Sequence, residues 1–359
     1  MSYLKRIANA HAEVNFSQEE LVFYARHLLL PSIGTKGQQK LKAARVLVVG
    51  AGGLGCPALQ GLAGAGVGHI SIIDGDNIEL SNLARQWLHS SKDIDCNKAE
   101  SAKRSIIRLN PYLQVESLCD MLTQTNAETL IASHDLIIDA TDDMHVRYLI
   151  DAVCAKFNRP WIHAALYRNK GQVCALWDSH GASFKTLYPN KNEAPSCVEA
   201  GILGVSASLI ANIQVLEAIK FITGCEQPKL GTIISVDSFN YKHEYFNLPN
   251  VKQPKLIESK TKTTNYSCSA EDLRQRLSIS EPIRVIDIRS IQLHRKSAIE
   301  GSERMDVDHL LKADFSKERR VVIYCEEGSI SELVVCALRS QNRNAIYHLK
   351  GGFQSWLFS

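Results

Sequence analysis

The run Arg45-Val46-Leu47-Val48-Val49 ends in Gly50-Ala51-Gly52-Gly53-Leu54-Gly55, and this junction constrains the fold more than any other stretch of the chain. A β-branched run of that kind reads as a buried strand. The glycines after it permit a tight turn, a close backbone approach to a phosphate, and close packing of the next helix. Pro57 to Ala63 reads as that helix and His69 to Ile73 as a second strand, closing at Asp74, nineteen residues past Gly55. Strand, glycine turn, helix, strand and acid make one βαβ unit, with a helix N-terminus facing an anion and Asp74 placed for ribose hydroxyls. Alone, this pattern says nucleotide. It suits an NAD(P) dehydrogenase as well as an ATP enzyme, and a glycine turn without ligand is a third reading.

The charges downstream separate these readings. Leu80-Ser81-Asn82-Leu83-Ala84-Arg85-Gln86 and then Lys98 put two cations and two amides just after the ribose acid. Leu136 to Asp139 reads as another buried strand, with Asp142 and Asp143 past its end and Arg147 four residues on. In an open α/β sheet such strand ends share one crevice. Each charge alone reads as a solvated surface group. Together they suit a triphosphate with Mg²⁺, where cations and metal stabilise charge on the α-phosphate and pyrophosphate, a need that hydride transfer does not have.

At this point the chain resembles the MoeB/ThiF/HesA family, relatives of the ubiquitin-activating enzymes, over roughly residues 15 to 250. The resemblance rests on Tyr24-Ala25-Arg26-His27, Gly50–Gly55, Ile73-Asp74-Gly75-Asp76, Leu80–Gln86, Lys98-Ala99-Glu100-Ser101-Ala102, Leu109-Asn110-Pro111, Thr141-Asp142-Asp143 and Cys197-Val198-Glu199-Ala200-Gly201. It implies a Rossmann-like α/β adenylation domain with a mixed sheet. It further implies nucleotide contacts from Gly50, Gly52, Gly53, Gly55, Asp74, Ser81, Asn82, Arg85, Lys98, Asp142 and Asp143, with Mg²⁺ held by Asp142 through ATP. The family usually has Asn where Asp143 stands, so this site carries an extra negative charge. Arg26 is implied to reach the ATP of a neighbouring subunit in a homodimer. The implied reaction is attack by the C-terminal glycine carboxylate of a ubiquitin-like sulfur carrier on the α-phosphate of ATP. Arg26, Arg85 and Lys98 would stabilise the charge.

Cys197 follows a loop and precedes a helix N-terminus, which stabilises a thiolate. The resemblance matches it to a cysteine of thioester or acyl-disulfide chemistry, and a purely structural role stays open beside that. Many relatives hold structural zinc through two Cys-x-x-Cys pairs. The corresponding stretches here are Ser183-Phe184-Lys185-Thr186 and about Val251-Lys252-Gln253-Pro254, which offer no thiolate, so no structural zinc is expected.

Ser17-Gln18-Glu19-Glu20 is a capping box opening a helix that Pro31 stops. Residues 1–249 are read as the adenylation domain and 250–267, where Lys252, Lys255, Lys260 and Lys262 interleave with polar residues, as a linker. Residues 268–359 resemble a rhodanese-like domain, a small α/β unit. The likeness rests on Val285–Arg289, Ile299–Ser302, Val322-Ile323-Tyr324-Cys325 and Leu349–Phe353 with Trp356. Cys325 opens a strand-to-helix loop that suits a thiolate or persulfide. Active rhodaneses commonly carry a basic residue there. Here Glu326 and Glu327 follow the cysteine and would repel a small anion. Cys325 then either takes sulfur from a protein donor such as a cysteine desulfurase, the preferred reading, or belongs to a docking module.

The net charge of +3 over 359 residues argues for neither nucleic acid nor a membrane surface. Nothing at the N-terminus reads as a secretory signal, and the ten cysteines include no Cys-x-x-Cys pair, so the expected compartment is the cytoplasm. The apolar stretch 201–222 contains Asn212, Gln214, Glu217 and Lys220 and reads as a buried or interface helix rather than a membrane span. Three rivals to sulfur-carrier activation stay open: adenylation of another acyl group, on a peptide or a tRNA, a non-catalytic scaffold for a ubiquitin-like partner, and an NAD(P) enzyme. Which carrier is served, for molybdopterin, thiamine or another thiolated product, is not legible.

Overall fold

A computed structural model describes residues 14, 16–189, 201–254, 266–279, 281–339 and 345–358. The described residues form two compact units: residues 40–254, and residues 14–39 together with 266–358.

The first unit is built on an eight-stranded mixed sheet. Its strands are β1 (Arg45–Val49), β2 (His69–Ile73), β3 (Gln114–Leu118), β4 (Leu136–Asp139), β5 (Trp161–Tyr167), β6 (Lys170–Leu176), β7 (Thr232–Asp237) and β8 (Lys242–Asn247), in the order β3-β2-β1-β4-β5-β6-β7-β8. Pairing is parallel from β3 across to β5 and antiparallel from there to β8. Val46, Leu47, Val48 and Val49 are all buried, as a strand covered on both faces requires. The chain order reverses between β1 and β4, so a crevice opens beyond their carboxyl ends. Two glycines make the turn there possible. Gly50 has φ +98°, and a Cβ on Gly55 would lie 2.0 Å from the Gly50 carbonyl oxygen.

Helix Gly204–Thr223 is long and apolar enough to cross a membrane, yet Ala207, Ile210, Ala211, Val215 and Ala218 are buried in the core of this unit. The amide of its buried Gln214 donates to the carbonyls of Asp139 and Ile162, which anchors the helix to the sheet.

The second unit has a five-stranded parallel sheet of β9 (Ser267–Cys268), β10 (Arg284–Asp287), β11 (Glu303–Arg304), β12 (Val321–Tyr324) and β13 (Ile346–Leu349), ordered β11-β10-β12-β13-β9. Residues 16–39 pack within this unit. The reciprocal capping box of Ser17 and Glu20 starts helix Gln18–Phe23, and a second short helix spans Ala25–Leu28. Their apolar side chains Leu21, Tyr24 and Leu28 share one buried cluster with Leu310, Val334, Val335 and Leu338. Burial of that face holds the two short helices against this unit.

Candidate functional site

The crevice at the β1/β4 reversal is a cavity of about 650 Å³. Gly50, Gly52, Gly53, Asp74, Asn82, Arg85, Lys98, Asp142 and Asp143 all line it. Two expected contacts do not. Gly55 packs its helix onto the turn, and the Ser81 hydroxyl bonds Glu79 on the surface.

Each wall is fixed by local structure. The Asp74 carboxylate accepts from the Ala51 N–H at 2.7 Å and the Asp76 N–H at 2.9 Å, tying the glycine turn to the end of β2. Asn97 caps helix Lys98–Leu109 by accepting from the N–H groups of Ala99 and Glu100, which sets Lys98 at the first helical position. The Lys98 ammonium is largely buried and pairs with Asp76 at 2.7 Å. Arg85 donates to the Ser81 carbonyl at 3.1 Å and makes no ion pair among the described residues.

Beyond β4 the chain is scaffolded from beneath. Buried Asp139 pairs with Arg147 at 3.2 Å and His163 at 2.7 Å, and Arg147 also donates to the Thr141 carbonyl at 2.6 Å. Burial lowers the His163 pKa, so the ring is neutral at pH 7. Asp143 caps helix Met144–Phe157 by accepting from the His145 N–H at 2.7 Å. Asp142, exposed, makes no hydrogen bond or ion pair among the described residues.

Several lining groups were not singled out from sequence. Asp76 was visible only as a second acid in Ile73–Asp76, and Asp120, Met121 and Leu122 follow a strand too polar to read as one. Gln86 is 3% exposed and lines the cavity, and its Oε1 has no hydrogen-bond partner among the described residues. Among the described residues, a buried acceptor left open beside an unpaired carboxylate and a guanidinium without an ion partner suits a ligand that brings its own donors and phosphates. Such a set fits a nucleoside triphosphate with a divalent metal.

The remaining expected residues lie elsewhere. Cys197 lies outside the described residues. Arg26 is in the second unit, with its side chain 78% exposed and 3.8 Å from Asp308. The two stretches where zinc cysteines would fall come together, since the Lys252 N–H donates to the His180 carbonyl at 2.8 Å. Ser183 there caps helix Phe184–Leu187 rather than facing a metal. No group of three or more His, Cys, Asp or Glu side chains is placed to hold a metal ion among the described residues.

In the second unit Cys325 is 4% exposed, and its sulfur receives the Ser331 N–H at 3.4 Å. Gly328, at φ +89°, turns the loop. Contrary to the expectation of repulsion, Glu326 faces a cation: its carboxylate pairs with Arg289 at 3.1 Å and accepts from Gln354 at 2.6 Å. Arg289 also pairs with buried Asp287 at 2.9 Å and stacks on Phe353, 3.8 Å from the ring centre. Burial alone would raise the Asp287 pKa, but hydrogen bonds from Arg289 and His294 outweigh it and hold the carboxyl below its usual range.

A ThiF family model matches residues 24–260 and a rhodanese-like domain model matches residues 269–358. The chain belongs to the ThiF family. It is an adenylyltransferase that carries a sulfurtransferase-type domain at its C-terminal end. Among ThiF relatives, a probable adenylyltransferase/sulfurtransferase MoeZ of Mycobacterium tuberculosis is 33% identical, over 95% of this chain and 93% of its own length. A probable molybdopterin-synthase adenylyltransferase of Porphyra purpurea is 32% identical, over 95% and 94%. A sulfur carrier protein adenylyltransferase of Thermus thermophilus is 36% identical, over 63% of this chain and 86% of its own length. Two solved structures share the ThiF fold. PaaA matches with a TM-score of 0.58 at 24% identity, covering 65% of this chain and 75% of PaaA. E. coli MccB, solved with ATP, matches with 0.52 at 22%, covering 67% and 73%.

Proposed function

We propose that this ThiF-family chain uses ATP to adenylate the C-terminal glycine of a small ubiquitin-like sulfur carrier of the MoaD/ThiS type, and that its rhodanese-like unit then supplies sulfur. The cavity carries the reading: a glycine turn and ribose acid on one side face Arg85, Lys98 and a free Asp142 on the other. A carrier carboxylate oxygen attacks the α-phosphorus as the bond to the β-phosphate oxygen breaks. The products are an acyl-adenylate and pyrophosphate. Arg85 and Lys98 stabilise the charge that gathers on the α-phosphate and the leaving group. Mg²⁺, when bound through ATP and Asp142, adds neutralisation of the departing pyrophosphate.

Sulfur transfer follows at Cys325. Its persulfide, loaded by a cysteine desulfurase, attacks the acyl carbon and displaces AMP, leaving an acyl disulfide. A second thiol then attacks the Cys325 sulfur, releasing the carrier thiocarboxylate and leaving a disulfide on Cys325. Cys197 is a candidate for that thiol. Names of the relatives support the carrier assignment, since one of them acts on a sulfur carrier protein. Activity as a homodimer, with Arg26 serving the neighbouring ATP, is part of the proposal. Exposed Val205, Leu209 and Leu216 on helix Gly204–Thr223 offer an apolar face to a second copy. Reducing cytoplasm suits the free cysteines among the described residues.

Pyrophosphate exchange into ATP that depends on a Gly-Gly-ended carrier tests the first step, and its absence with every such carrier defeats the proposal. Cys197→Ala should leave exchange intact and lower thiocarboxylate formation. Incubation with a cysteine desulfurase should leave a trappable persulfide on Cys325, and no trace of one would favour a docking module.

A further inference from the structure

Behind the glycine turn lies a buried polar cluster that takes no part in the chemistry above. His89, 6% exposed, places Nε2 3.1 Å from the Ala51 carbonyl oxygen and Nδ1 3.0 Å from the Ser101 hydroxyl. The Cys56 thiol donates to the same carbonyl at 3.2 Å. Burial lowers the His89 pKa and pushes the Cys56 thiol up to about 12, so the cluster is a neutral ring beside a protonated thiol. A neutral imidazole has one N–H and a carbonyl can only accept, which assigns the hydrogen to Nε2 and leaves Nδ1 to accept from Ser101.

This arrangement has a direct consequence for the turn. In a planar trans peptide the C=O and the following N–H point in opposite directions. Holding the Ala51 carbonyl back against His89 therefore turns the Gly52 N–H forward, into the cavity that Gly52 lines. On its other side Ala51 is held too, since its N–H donates to Asp74 at 2.7 Å. Ser101, at the far side of the ring, lies three residues from Lys98 on the same helix and so shares its face. The ring thus bridges the phosphate-facing turn and the helix that carries the cation.

We infer that His89 is a positioning residue for the nucleotide: it aims the Gly52 N–H into the cavity and keeps the turn in register with Lys98. This rests on ATP occupying the cavity. The side-chain amide of Gln reaches about as far as imidazole Nε2, whereas that of Asn overlaps Nδ1, so the two substitutions separate the two hydrogen bonds. The experiment titrates Mg·ATP into the full-length chain and its His89→Gln, His89→Asn and His89→Phe variants, and measures carrier-dependent pyrophosphate exchange on each. His89→Gln should bind ATP within about twofold of wild type, while His89→Asn and His89→Phe should weaken ATP about tenfold. KM for ATP should rise with kcat held within about twofold, whereas mere structural damage would lower kcat through the active fraction at unchanged KM. Wild-type affinity in His89→Asn, or a His89→Gln variant as impaired as His89→Phe, would overturn the inference. A wild-type chain that binds no ATP would instead break the adenylation reading.

Discussion

The two strand-to-helix loops after β1 and after β12 use charge in opposite ways. Around the glycine turn, several groups are left open to the cavity: among the described residues Arg85 has no ion partner, Asp142 has no partner of any kind, and the Gln86 acceptor is buried without a donor. Behind Cys325 the charges are closed on one another, with Asp287, Arg289, Glu326 and Gln354 linked in a chain of short contacts, while Glu327 of the same loop is exposed. An open set is stable only in part until a charged ligand completes it. A closed set needs no ligand and leaves one thiol as its reactive feature. In the proposed function the first loop recognises a diffusing polyanion, and the second holds a sulfur that a protein donor delivers.

The largest expected effect comes from the open set. Arg85→Ala should lower carrier-dependent pyrophosphate exchange about 10²–10³-fold, because a cation directed at developing phosphate charge is lost. Its melting temperature should stay at the wild-type value, since no ion pair is broken. A variant that lost stability and activity together would erase the contrast between the loops.

Arg289→Met tests the closed set and should do the reverse. Removing the guanidinium leaves Asp287 buried without its cation, a change that costs about 3–5 kcal/mol. Urea unfolding of the full chain, followed by a probe in the second unit, should show the loss while pyrophosphate exchange is preserved. A smaller change is expected from Glu326→Gln. Its amide keeps an acceptor for Gln354 but no longer balances Arg289, so turnover of thiosulfate should rise a few-fold, about 1 kcal/mol of altered charge interaction.

Much of the open loop was legible in the sequence because its signals are local. β1, β2 and β4 are largely apolar, β-branched runs ending in glycine or acid, and helix Lys98–Leu109 begins where Asn97 caps it. β3 escaped notice because Gln114, Glu116 and Ser117 hide its period at the sheet edge. Asp143 was read as a ligand when its carboxylate also caps a helix that had not been anticipated. The closed loop resisted more strongly. Glu326 looked repulsive beside Cys325 because its cation, Arg289, lies 37 residues away in sequence. Likewise a capping box announces the helix at Gln18, and its apolar face says that something covers Leu21, Tyr24 and Leu28. Which surface does so is a tertiary matter that no local pattern contains.

The smallest effect lies in the segment joining Arg85 to Lys98, where a carboxylate is closed by its neighbours while Arg85 keeps no ion partner among the described residues. Asp93 accepts from the Ser90 hydroxyl at 2.6 Å, the Ser90 N–H at 2.9 Å and Arg104 at 3.0 Å. The Ser90 hydroxyl bond leads the effects that lower its pKa to about 2, assisted by Arg104. A carboxyl free in an unfolded chain titrates near about 3.9, so the folded state binds its proton less readily. The resulting stability is fully present above about pH 4 and is lost as pH falls through about 2. Because the site is partly exposed, solvent screening leaves it worth about 1 kcal/mol. Asp93→Asn should therefore lower stability by that amount at pH 7 and converge on wild type below about pH 2. Urea midpoints measured across that range check the sign, and a difference that stayed constant with pH would show that the carboxylate charge plays no part in holding the segment.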